Sequence, residues 1–161
     1  KNINMIYGKS LRVNESEDPL KYDGIVIKEP FPRWRFKYQL PLLHCSAFIN
    51  RSFLISNSLY FDDTNFKYAA DWDWFLRMSK MTDFNFIDLK ISKYRVHVKQ
   101  TTNTTGRNIL KKEDINVLRK NNSSILTYYL VINFERLRKA YVISKKQGFR
   151  ALYKKIIGID K

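Results

Sequence analysis

Apolar and polar residues alternate from Ile3 to Val13, broken at Gly8, and this period of two predicts a strand. Asn14-Glu15-Ser16-Glu17-Asp18-Pro19 is polar throughout and reads as a loop. Gly24-Ile25-Val26-Ile27 predicts a short strand, closed by Pro30 and Pro32, and residues 33–40 predict a short helix before Pro41. Cys45 to Ile49 is small and apolar, as in a buried strand, and Arg51 to Ser58 suits one or two helical turns. Asp62-Asp63-Thr64-Asn65 has turn composition. Ala69 to Lys80 carries bulky apolar residues at helical spacing and predicts a firm helix, and Phe84 to Val98 alternates as a strand. Thr101 to Gly106 is a polar break, followed by three helical segments at about 108–120, 123–145 and 147–157. The pattern is an α/β domain over residues 1–105 and a helical tail over 106–161.

Composition narrows this picture. With 44% apolar and 15% aromatic residues in 161, the chain has the side chains for a core and is not a disordered tail. The single cysteine, Cys45, excludes an intramolecular disulfide framework and fits a reducing compartment. Ile125 to Phe134 is the longest apolar-leaning run, well short of the roughly 20 residues that span a bilayer. No basic start followed by an apolar stretch reads as a signal peptide. The expected location is therefore cytoplasmic. The chain enters an apolar strand directly from Lys1, which reads as a piece of something longer.

The net charge of +15 invites a nucleic-acid reading, but its distribution weakens it. Residues 1–107 hold 17 basic and 11 acidic groups, residues 108–161 hold 13 and 4, so most of the excess lies in the tail. Lys, Ile and Asn supply 48 residues, a compositional skew that adds charge without a site. No helix-turn-helix glycine turn, paired zinc ligands or ribonucleoprotein aromatic motif occurs. Nucleic acid is the disfavoured partner.

The predicted helix Ala69–Lys80 carries the most informative residues. At about 100° per residue, Asp73, Arg77 and Lys80 fall on one side, and Trp72, Trp74, Phe75, Leu76 and Met78 cover the rest. Asp73 and Arg77 form an i,i+4 pair, ordinarily a minor surface contribution. Asp71 lies roughly opposite, between Phe75 and Met78, where an acid is costly without a partner or a task. It suits an N-terminal cap, and it equally suits a general base, since a helix N-terminus favours the ionised carboxylate. The D-x-D of Asp71 and Asp73 does not suit one metal ion, because two positions on a helix are about 200° apart.

Leu43-His44-Cys45-Ser46-Ala47-Phe48-Ile49-Asn50-Arg51-Ser52, then Phe61-Asp62, then Ala69-Ala70-Asp71-Trp72-Asp73-Trp74-Phe75-Leu76-Arg77, then Tyr94-Arg95-Val96-His97, occur in this order. Together they resemble the C-terminal half of a family 2 glycosyltransferase of the GT-A, Rossmann-like fold, over roughly residues 3–105. Met5-Ile6-Tyr7-Gly8 is similar to the strand that such enzymes place just after their metal-binding acidic motif. The resemblance implies inverting transfer of a sugar from a nucleotide-sugar donor to a glycan or lipid-linked acceptor, as in bacterial surface polysaccharide synthesis. It implies Asp71 as the catalytic base, with Ala70 standing where the family has glutamate. It places His97 and Arg95 near the donor diphosphate or metal, and His44 on the acceptor side; an isolated histidine is also commonly structural. A divalent cation, Mg²⁺ or Mn²⁺, is expected of the complete enzyme, but its aspartate motif is absent from these residues. The five glycines, at 8, 24, 106, 148 and 158, form no phosphate-binding loop. Residues 1–161 are therefore expected not to turn over a nucleotide sugar alone.

In the tail, Ile125 to Phe134 is apolar almost all round, which predicts burial. Arg136, Arg138, Lys139, Lys145, Lys146, Arg150, Lys154 and Lys155 follow, interleaved with Leu137, Tyr141, Val142, Phe149, Leu152 and Tyr153. This composition suits either a solvated basic face or an anionic membrane surface, which would hold the protein peripherally on the inner face of the membrane. The alternative to an enzyme is thus a non-catalytic basic module for nucleic acid or an anionic membrane.

Overall fold

The computed structural model describes residues 3–20, 25–26, 30–100 and 104–157. A four-stranded sheet is organised around β1 (Met5–Val13). Along one edge β1 pairs in parallel with β4 (Asn85–Arg95), from Ile6 opposite Asn85 to Val13 opposite Arg95. The other edge is shared by two short antiparallel strands. β2 (Ile25–Val26) lies against Ser10 and Leu11, and β3 (Ala47–Ile49) against residues 5–7. Gly24 and Ile27, also expected in β2, fall outside the described residues. One set of β1 side chains, Met5, Tyr7, Ser10 and Val13, is almost inaccessible, whereas Ile6, Lys9, Leu11 and Arg12 stay partly exposed.

β1 runs through Gly8 without the expected break, and the irregularity falls on its partner instead. The β1–β4 register shifts between Tyr7 and Lys9 and again between Lys9 and Ser10, so β4 bulges outward with Asp88, Leu89 and Lys90 exposed. Gly8 permits this approach: a Cβ there would lie 2.8 Å from the Leu89 carbonyl oxygen and 3.2 Å from that of Ile87. Lys9 pairs with Asp88 across the bulge. β3 is shorter than the expected buried strand, and Phe48 points outward with more than half its surface exposed, because an edge strand buries only one of its faces.

α1 (Arg51–Ser56) and α2 (Ala70–Ser79) precede β4, and α3 (Arg107–Lys120) follows it. Asn50 caps α1, its side chain accepting from the Ser52 and Phe53 amides. α1 and α3 end alike, with Ser58 (φ 51°) and Asn122 (φ 55°) left-handed. Leu59 N–H bonds the Leu54 carbonyl, and Ser123 N–H that of Leu118, the paired closure that satisfies helix C-terminal carbonyls. Residues 33–40 form only a short 3₁₀ turn, Arg33–Lys37. The core between sheet and helices is a chain of rings, Tyr7–Phe31–Phe36–Phe75, with Phe84 against Phe36 and centroids 4.6–6.1 Å apart.

The chain divides into two compact units, residues 1–123 and 124–161. The division falls later than the polar break at 101–106 suggests, because α3 is bonded into the first unit through Glu113, Lys120 and Asn121. The second unit is one continuous helix, α4 (Ile125–Ile157), where two segments were expected beyond residue 123. One interior glycine, Gly148, costs about 1 kcal/mol and does not suffice to end it. Ser124 caps it by accepting from the Thr127 amide. Leu126, Leu130 and Phe134 are exposed rather than buried, since a unit made of a single helix holds nothing to cover them. The side chains of Lys139, Val142, Lys146, Phe149, Arg150, Leu152, Tyr153, Lys154 and Lys155 fall outside those described.

Candidate active site

The first turn of α2 is anchored from three directions. Trp72 Nε1 donates to the Phe36 carbonyl at 2.6 Å, and Trp74 Nε1 to that of Leu59 at 2.8 Å. Glu113, reaching across from α3, accepts the successive amides of Lys67, Tyr68 and Ala69 at 3.2, 2.7 and 2.9 Å. A carboxylate taking three N–H groups at the entry to a helix does the work of a cap and complements the helix dipole. The helix therefore starts where packing fixes it.

Asp71 is not the N-cap, a position that belongs to Ala69. It stands one residue inside the helix, where its Oδ1 accepts the Trp72 amide at 2.8 Å. Its Oδ2 faces His44 Nδ1 at 3.8 Å, longer than a hydrogen bond but close enough for attraction to an imidazolium. The Asp71 side chain is 29% exposed and that of His44 is 65% exposed. His44 opens the 3₁₀ turn His44–Ser46, whose Ser46 hydroxyl donates back to the Leu43 carbonyl at 2.7 Å. Burial pushes the Asp71 carboxyl above its ordinary value, against the opposing pull of the Trp72 amide and of His44. The expectation that the helix terminus dominates its ionisation is thus reversed, with desolvation the larger effect.

Asp73 occupies the opposite situation from that expected. The side of α2 bearing Asp73, Arg77 and Lys80 is covered by α3, and Asp73 is completely buried. Its Oδ2 accepts from Arg77 Nε at 2.8 Å and Lys120 Nζ at 3.0 Å, and its Oδ1 from Asn121 Nδ2 at 2.9 Å. Lys120 also bonds Asp62 Oδ2 at 2.6 Å, and Arg77 Nη2 bonds the Tyr60 carbonyl at 2.6 Å. This cluster is a clasp between α2, α3 and the 60–65 loop. Helical spacing identified the polar face, but a partner 47 positions away buries it.

His44 and Asp71 are thus brought together, whereas Arg95 and His97 make no hydrogen bond or ion pair with Asp71. Arg95 ends β4, and its guanidinium bonds Glu17 at 3.0 Å beside Lys93 at 2.9 Å. His97 lies just beyond the strand, where its carbonyl accepts from the Gln100 amide. A shallow depression of about 260 Å³ between β1 and β3, lined by Ile3, Asn4, Met5, Ile6, Phe48, Ile49 and Asn50, contains no acid or base and carries no comparable chemistry. Glu113, Lys120 and Asn121 are the supporting residues that motif reading missed. No local pattern marks them, because their roles arise from the docking of α3.

No protein-family model, curated protein or solved structure matches this chain. The site's chemistry therefore rests on its own residues. Among the described residues, no cluster of three or more His, Cys, Asp or Glu side chains could hold a metal ion. Asp71 and Asp73 diverge, and Asp73 is saturated by cations and an amide, so the pair does not fit the divalent cation expected of a complete enzyme. No helix among the described residues is long and apolar enough to cross a membrane.

Proposed function

We propose that residues 1–123 form the acceptor side of an inverting glycosyltransferase of the GT-A type, with Asp71 as general base. The carrying observation is a half-buried carboxyl with one oxygen anchored to a helix amide and the other turned toward an exposed imidazole. In this reading Asp71 Oδ2 takes the proton of an acceptor hydroxyl as that oxygen bonds the donor's anomeric carbon. The bond to the nucleoside diphosphate breaks on the opposite face, which inverts the centre. A base of raised pKa holds the proton more firmly as the new bond forms. His44 positions the acceptor or steadies the developing charge beside Asp71. Arg95 and His97 are proposed to approach the diphosphate, Arg95 by exchanging Glu17 for phosphate oxygens.

Support comes from the order of the motifs along the chain and from the pairing of Asp71 with His44, two residues whose roles were assigned separately. The test is Asp71→Asn in the gene product that carries this chain, with nucleoside diphosphate release from nucleotide sugars as readout. Transfer should fall by about a hundredfold or more, the usual worth of a general base, with circular dichroism unchanged. Undiminished transfer by Asp71→Asn removes Asp71 from the mechanism.

A further inference from the structure

α4 shows five large apolar side chains on one face, each more than 60% exposed: Leu126 (71%), Leu130 (61%), Phe134 (66%), Leu137 (70%) and Tyr141 (64%). At 100° per residue they fall within an arc of about 80°. A solvated helix would put polar residues there, so this face is made for contact. Three occupants are conceivable: a second copy, a nucleic acid or a lipid surface.

From Leu130 to Tyr141 the stripe advances in steps of four, three and four residues, the spacing of a coiled-coil seam. That seam is bounded by Thr127 and Ser144 and so runs for about two heptads, short of the three or four that sustain a coiled coil. Charge points the same way. Residues 124–161 carry nine basic and two acidic groups, so pairing two copies sets like charge against like. Nucleic acid would seek a basic face, whereas this face is apolar with cations along its margins. Exposed Arg138 and Lys145 border it beyond Phe134, and Arg136 borders the other side beyond Tyr129. Of these, Arg138 is bonded to Glu135 on the helix's far side. Apolar side chains flanked by aliphatic-stemmed cations are the features that seat a helix in the headgroup region of an anionic bilayer.

We infer that α4 lies along an anionic lipid surface, Leu126 to Tyr141 immersed and the flanking arginines and lysine at headgroup level. The inference stands on α4 alone and does not depend on the enzymatic reading. Co-sedimentation of the full chain with vesicles tests it, comparing phosphatidylcholine with a mixture one-third phosphatidylserine. Partitioning should be at least about tenfold stronger on the anionic vesicles and should weaken with salt. Leu130→Ser with Phe134→Ser should reduce binding about tenfold or more, and circular dichroism verifies that the helix survives. Arg136→Gln with Lys145→Gln should lower binding to anionic vesicles alone, by about twentyfold. Equal partitioning on both vesicle types, or binding untouched by either double substitution, overturns the inference. So does a lipid-free dimer in sedimentation velocity that Leu130→Ser with Phe134→Ser abolishes, which assigns the stripe to a second copy.

Discussion

Asp71 and Asp73 stand two positions apart on one helix and experience opposite surroundings. Asp73, wholly buried, has three donors from Arg77, Lys120 and Asn121, which together replace the water it gave up. Asp73→Ala strands two cations and an amide, and urea denaturation should show a loss of about 3 kcal/mol. Asp71 is instead only partly exposed, with its carboxyl raised by burial. A carboxyl whose folded pKa exceeds its unfolded value favours folding when protonated. Its contribution is complete at low pH and declines as pH rises through the folded value. The Asp71→Asn protein, which lacks that decline, should therefore gain stability relative to the parent as pH rises from the ordinary carboxyl value toward neutrality, while losing transfer. A gain in stability paired with a loss of activity marks a residue kept for chemistry rather than for folding.

At the scale of elements, the sequence pattern was readable wherever local spacing decides structure. The period of 3.6 located α2 to within a residue at each end, and alternation located β1 and β4. It was unreadable where a distant partner decides. Gly8 interrupts the alternation and resembles a breaker, yet its role is to admit the backbone of β4 some 80 positions later. Gly8→Ala would press a methyl group against two carbonyl oxygens of the bulge. Thermal or chemical denaturation should register about 1–3 kcal/mol of destabilisation, the usual range for overpacking. The polar face of α2 is legible from local spacing too, but nothing within the helix announces the α3 that covers it. Of the proposed site, Asp71 and His44 could be named from motif order. The glutamate that seats the helix beneath them could not.

At the scale of the whole molecule, the first unit is closed by ion pairs that cross long stretches of chain. Asp62 is held down to about 2 by Lys120 and by the amide groups of Asn65, and Glu17 is lowered by Lys93 and Arg95. For both, stability is fully present above the unfolded value and is lost as pH falls through the folded one. An acid titration followed by tryptophan fluorescence should therefore show progressive weakening between about pH 4 and pH 2. Asp62→Asn should flatten part of that slope, and an unchanged slope would detach Asp62 from the closure.

β1 is the central strand of the sheet, yet its full-length parallel partner follows by about 80 residues. At about 5–20 residues per second, a ribosome needs roughly 4–16 seconds to deliver that partner after β1 has emerged. For that interval, among the described residues, the only strands that pair with β1 are β2 and β3, and both take the edge opposite the one that β4 fills. The edge of β1 that β4 fills thus waits for its partner through the synthesis of about 80 residues. Its yield in a cell should depend on what shields that edge during those seconds more than on the final stability of the fold.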